Sequence, residues 1–130
     1  MPAAGTVGPA GHFPRLAPIE AYGNGGFRFA DMSHRGDLLC LPSGIYGWEA
    51  PAAAAIDETA LARVFAESEA IEVLLIGTGV DLVPLAAALR SRLRDVAIGA
   101  EAMATGPAVR TFNVLLAEGR AVAAALIAVD

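Results

Sequence analysis

From residue 57 onward the hydrophobic period switches repeatedly between 3.6 and 2, and this alternation constrains the fold more than any other feature of the chain. Asp57 and Glu58 place acids in a first helical turn, ahead of a stripe formed by Leu61, Val64 and Phe65. Glu72-Val73-Leu74-Leu75-Ile76 then reads as a strand buried on both sides. Pro84 suits the first turn of a second helix, in which Leu85, Leu89 and Leu93 recur at i, i+4 and i+8. Val96, Ile98 and Ala100 alternate as the next strand. Thr105-Gly106-Pro107 opens a third helix with Val109, Phe112 and Leu116 toward the core, and Gly119 is placed to cap its end. Ala121 to Val129 closes the chain as a strand. Strands alternating with helices in this way imply parallel pairing through right-handed crossovers.

The first half of the chain is extended instead. Ile19–Tyr22 and Phe27–Ala30 flank Gly23-Asn24-Gly25-Gly26, and Asn-Gly between such runs signals a hairpin because both residues tolerate positive φ. Phe27 and Phe29 share the core face of that hairpin, and Arg28 takes the other. Ser33-His34-Arg35-Gly36 reads as a second turn, leading into Leu38–Leu41, which is apolar on both faces and so interior. Pro42-Ser43-Gly44 interrupts, and Ile45–Trp48 is a further strand or an edge. The expectation is a single three-layer α/β domain over residues 19–130, with a central mixed sheet and an N-terminal hairpin followed by αβαβαβ. Residues 1–18, rich in Pro, Gly and Ala, read as a flexible lead-in without the basic start and apolar centre of a signal peptide.

Composition removes several classes of function. All nine basic residues are arginine, so a Schiff-base lysine and a Walker-type Gly-Lys-Ser/Thr loop are both excluded. The net charge of −5 disfavours nucleic acid as a partner. The basic run Arg90-Ser91-Arg92-Leu93-Arg94 falls where a helix should end and complements the helix dipole there. Cys40 is the only cysteine and lies inside an apolar run, where it reads as a small buried hydrophobe rather than a nucleophile. One cysteine and two histidines at no recognisable spacing provide no metal cluster, and no motif calls for a cofactor. The apolar run from Ala121 to Val129 is nine residues, against about 20 for a transmembrane helix. These features point to a bacterial cytoplasmic protein.

Ligands of open α/β sheets sit beyond the carboxyl ends of parallel strands, and two such ends are visible. One carries Gly77-Thr78-Gly79, the other Ala104-Thr105-Gly106-Pro107, and neighbouring strands would put both loops on one rim. Thr105 at a helix start exposes backbone N–H groups that favour an anion, and Arg110 and Asn113 lie three apart on one face of that helix. The candidate ligand-binding residues are therefore Gly77, Thr78, Gly79, Thr105, Gly106, Arg110 and Asn113. Two features weigh against a dinucleotide: Leu82 stands where the fingerprint wants glycine or alanine, and Asp81 puts a negative charge where a phosphate would lie. Arg110 also has Asp81 and Glu101 as internal partners within its expected reach. A secondary cluster is Asp31, His34 and Arg35 beside Arg28, with His34 as the one candidate base and Asp31 to orient it. No serine or cysteine completes a catalytic constellation around it, and the sequence leans away from an enzyme.

The blocks YGNGGFRFADMSHRGDLLCLPSGIYGW (22–48), LLIGTG (74–79) and TGPAVRTFNVLLAEGRAVAAAL (105–126) resemble a small α/β family of unknown biochemical activity. Its eukaryotic members include the mitochondrial NADH dehydrogenase (ubiquinone) alpha subcomplex assembly factor three and an adipogenesis-associated protein. The resemblance covers roughly residues 19–129, and Arg110-Thr111-Phe112-Asn113 with Glu118-Gly119-Arg120 is its most specific part. It implies a three-layer fold around a mixed sheet, a link to assembly of respiratory complex I, and protein partners in that process. It brings no catalytic residues. The alternative is a small-anion or small-molecule binder or enzyme using the cleft between loops 77–79 and 105–113. An exposed hairpin edge leaves homo-oligomerisation open.

Overall fold

A computed structural model describes residues 12–130. The chain order is β1 (His12–Phe13), β2 (Ile19–Gly23), β3 (Gly26–Phe29), β4 (Met32–Arg35), β5 (Asp37–Leu41), β6 (Gly44–Trp48), α1 (Ala62–Ala66), β7 (Val73–Gly77), α2 (Ala87–Asp95), β8 (Gly99–Met103), α3 (Thr105–Ala117) and β9 (Val122–Leu126). Of the lead-in expected over 1–18, residues 1–11 lie outside the described residues. Within the remainder, β1 pairs with β6 and Ala17 is buried.

Six strands form the central sheet in the order β1-β6-β5-β9-β7-β8. β7 runs parallel to both β8 and β9, whereas β5 is antiparallel to β9 and β6. The sheet is mixed, as expected, but for a different reason. The opening hairpin does not join it; β2-β3-β4 form a separate three-stranded antiparallel sheet. The mixture comes from β5, β6 and β1.

Side-chain alternation along the central strands sorts the core into two layers. Leu38 and Cys40 of β5, Leu75 of β7, and Val122, Ala124 and Leu126 of β9 face α3 and the small sheet, packing on Phe29, Val109 and Phe112. Leu39 and Leu41, Leu74 and Ile76, and Ala123 and Ala125 face the other way, against Leu61 and Val64 of the α1 region and Leu89 and Leu93 of α2. Phe27 and Phe29 are buried and Arg28 is exposed, as their alternation predicts.

Four local expectations are corrected. Met32–Arg35 is a strand, and the turn before it is Ala30-Asp31, with φ of 48° and 60°. An alanine at positive φ carries no sequence signal, because the side chain disfavours that region. The helix expected from Asp57 becomes regular only at Ala62; before it, Asp57 Oδ1 accepts from Ala60 N at 2.9 Å and Asp57 O from Leu61 N at 3.2 Å, forming a capped turn that leads into it. Pro84 and Leu85 precede α2 instead of opening it, although Leu85 is still buried. The strand expected from Val96 begins at Gly99. Val96 is the C-cap of α2, Ala97 has φ 62°, and the amides of Ala97 and Ile98 donate back to Arg94 and Leu93 at 2.9 and 3.0 Å. That 6→1 and 5→2 pattern is a Schellman ending built without glycine.

Candidate functional site

Because β7 and β8 are adjacent and parallel, the loops after them do share a rim, with the end of β9 beside them. There the loops bond to each other. Thr78 N donates to Met103 O at 2.8 Å, and Thr105 N donates to Gly79 O at 2.8 Å. The Thr78 hydroxyl lies 2.7 Å from Asp81 O and 3.0 Å from Met103 O, and accepts from Val83 N at 3.0 Å. Thr105, at 0% exposure, donates its hydroxyl to Ile127 O at 2.7 Å and accepts from Gly79 N at 2.9 Å. Ile127 N closes the ring onto Gly77 O at 2.9 Å. Thr105 is thus a latch across three strand ends. It is not the helix cap: the capping position is Ala104, with no side-chain cap bond.

Gly77 is tightly enclosed. A Cβ there would stand 3.0 Å from Thr105 Oγ1 and 3.0 Å from Leu126 Cδ2. Gly106 lies under Tyr22, whose hydroxyl would come within 2.5 Å of a Gly106 Cβ, so the start of α3 is roofed by β2. Asn113 is turned inward. Its Oδ1 accepts from Ile19 N at 2.8 Å and its Nδ2 donates to Ile19 O at 2.9 Å, pinning β2 to α3. Arg110 is exposed and forms no ion pair with Asp81, Glu101 or any other described residue. The structure therefore brings Gly77, Thr78, Gly79, Thr105 and Gly106 together, engages the polar groups of Thr78, Gly79 and Thr105 internally, and separates Asn113 from Arg110 by function.

The secondary candidates do not converge. Asp31 sits in the β3–β4 turn, whereas His34 is near the opposite end of β4, inside and 6% exposed. His34 Nε2 donates to the Asp37 carbonyl at 3.0 Å. Arg35 emerges on the opposite face, beside Gly26 in register. Asp37 itself ties two strand ends, accepting from Ala128 N at 2.8 Å and Ala50 N at 3.1 Å. Burial pushes the Cys40 thiol far above its usual range, consistent with an inert core residue. Among the described residues no group of three or more His, Cys, Asp or Glu could hold a metal. No helix among them is long and apolar enough to cross a membrane.

Two features escaped the sequence reading. Ser43 Oγ lies 2.6 Å from both Tyr46 Oη and Glu67 Oε2, with Arg63 stacked 4.4 Å over the Tyr46 ring. Glu67 Oε1 also accepts from Ser43 N at 2.9 Å, so this cluster fastens the β5–β6 turn to the end of α1. The second is a groove of about 420 Å³ over β2–β4, lined by Arg28, Arg35, Ser33 and Asn24 among others. The alternation Arg28, Ser33, Arg35 on one face could have revealed it, had β4 been read as a strand.

Residues 19–127 match the family described as "Protein of unknown function (DUF498/DUF598)". An uncharacterised protein of Rhodobacter capsulatus is 38% identical over 88% of this chain and 87% of its own length. The mouse NADH dehydrogenase [ubiquinone] 1 alpha subcomplex assembly factor 3 is 30% identical over 88% of this chain, which spans 62% of that protein. Among solved structures, a crystal structure described as an outer membrane protein from Bartonella henselae is 60% identical, with a TM-score of 0.87 over 92% of this chain and 100% of that one.

Proposed function

This chain belongs to the DUF498/DUF598 family of proteins of unknown function, and from that premise we propose that it is a non-enzymatic interaction protein that aids assembly of a membrane respiratory complex. The single observation that carries the reading is the 30% identity to a named assembly factor over 88% of this chain. The alignment runs over 115 residues, so the similarity extends over most of the chain and is not confined to a short segment. The hydrogen bonding supports an interaction role as well. At the carboxyl ends of β7 and β8, where an α/β enzyme would present polar groups to substrate, Thr78 and Thr105 bond to the protein's own backbone and Gly79 N to the Thr105 hydroxyl. Function then rests on the outer surface, with the proposed partners being subunits of complex I or factors that insert them.

The test is affinity capture of the tagged protein from detergent-solubilised native cells, read by mass spectrometry, together with deletion of the gene. Enrichment of complex I subunits, and a fall in assembled complex on deletion, is the expected result. An unchanged level and activity of complex I in the deletion strain would overturn it.

A further inference from the structure

We propose that the groove over the outer face of the β2–β4 sheet docks an extended acidic segment of a partner protein, with Arg28 and Arg35 receiving two of its carboxylates. The proposal rests on the interaction reading above and names the surface that reading leaves unspecified.

Strand register fixes the two cations. Arg28 stands opposite Ser33 and Gly26 opposite Arg35, so the guanidiniums project from diagonal positions on one face. Both line the same groove of about 420 Å³. Of the two positions between them, Gly26 offers bare backbone, since a Cβ there would clash with His34 O, and Ser33 offers a hydroxyl that accepts from Arg28 Nη1 at 3.2 Å. Arg35 folds back over the hairpin turn, its Nη1 4.0 Å from where a Gly25 Cβ would be. It forms no ion pair or hydrogen bond with the described residues. Two like charges share this face in a chain of net charge −5, with one weakly paired carboxylate beside Arg28. That carboxylate is Glu20, whose Oε1 is 3.7 Å from Arg28 Nε, with both side chains about half exposed. Exposed pairs of this kind contribute little, so an incoming carboxylate can displace it.

Spacing selects the occupant. Diagonal neighbours on an antiparallel pair are about 7–8 Å apart, and somewhat less at Cβ. Alternate residues of an extended chain repeat at about 6.6–6.8 Å on one face. Acids at i and i+2 of an extended segment therefore meet both arginines at once. Arginine binds carboxylates through its planar fork, which rewards this geometry. A nucleic acid would meet the same two cations but also the overall negative charge, which disfavours it.

The probe is a fluorescein-labelled octapeptide of alternating valine and glutamate, compared with its valine–glutamine counterpart by fluorescence anisotropy on the full chain. The acidic peptide is expected to bind, and the glutamine peptide at least about tenfold more weakly. Arg28→Gln and Arg35→Gln should each weaken binding about threefold to tenfold, and affinity should fall with added salt. Arg94→Gln, an exposed cation on α2, should leave it unchanged. Circular dichroism and melting confirm that each variant is folded. Equal binding or no binding of the two peptides, or a double Arg28/Arg35 variant that binds like the wild type, overturns the proposal. Full competition by millimolar inorganic phosphate at constant ionic strength would show a simple anion site and overturn the peptide assignment. Repeating the cellular capture with the double variant separates the two ideas. Partners retained by the double variant refute this surface and leave the assembly role standing. Peptide binding with no captured partner and normal complex I refutes the assembly role instead.

Discussion

Replacing Thr105 by valine tests whether the rim of β7, β8 and β9 is a structural latch. Valine keeps the shape of threonine and removes both hydrogen bonds, the one given to Ile127 O and the one accepted from Gly79 N. Gly79 is buried, so its N–H is left without a partner, and Ile127 is half-buried, so its carbonyl recovers part of the loss from water. An unsatisfied buried group costs about 1–3 kcal/mol, which places Thr105→Val at about 2–4 kcal/mol. Thr105→Ser keeps both bonds and loses one methyl group at a fully buried site, about 1 kcal/mol. Urea unfolding followed through Trp48, the single tryptophan, reads both variants. With a slope of about 2 kcal/mol per molar, valine should lower the midpoint by roughly 1–2 M and serine by about 0.5 M. A serine variant as damaged as the valine variant would show that packing, and not the hydrogen bonds, makes the latch.

Three further outcomes follow from single sites. Asn113→Ala should cost about 1–3 kcal/mol and speed amide exchange along β2, because both backbone groups of Ile19 lose their partner; unchanged exchange at Ile19–Tyr22 would contradict the clamp. Ala97→Gly should raise stability by up to about 1 kcal/mol, since φ at 62° strains alanine and suits glycine at a helix end; a fall in melting temperature would contradict it. Cys40 gives an alkaline signature. Burial holds its folded thiol well above the ordinary 9.0, so its contribution is complete below pH 9.0 and declines as pH rises, because the unfolded thiol ionises first. The slope is about −1.4 kcal/mol per pH unit. The absence of lysine leaves few competing groups, and the difference from Cys40→Ala cancels the two tyrosines. Parallel stability–pH curves for the two proteins between pH 9 and 10.5 would refute it.

Much of the architecture was legible because it depends on local pattern. Asn24-Gly25 fixed a hairpin through positive φ, with observed values of 52° and 78°. The two-sided apolar runs at Leu38–Leu41 and 121–129 marked interior strands, and β5 and β9 are neighbours in mid-sheet. Gly119 ends α3 with φ 75°, and the amides of Gly119 and Arg120 bond back to Leu116 and Leu115. The same logic failed where the chain used residues with no matching signal, as at Ala30 and Ala97, both held at positive φ by their surroundings.

The candidate site divides along the same line. Strand–turn–helix grammar is local, so the residues alone placed two loops at strand ends, carrying threonine, glycine and a nearby arginine. Tertiary structure decided whether those groups face a ligand or one another. Side-chain hydroxyls and amides are unselective donors and acceptors, and their partner is whatever backbone the fold brings within 3 Å. Here that was Ile127 and Gly79 for Thr105, and Ile19 for Asn113, the last separated from its partner by 94 positions in the chain. Tertiary structure also placed the hairpin in its own sheet over α3, leaving Arg28 and Arg35 together on its outer face. Period-2 alternation puts a residue on one face or the other, but only packing determines which face meets the core and which meets a partner.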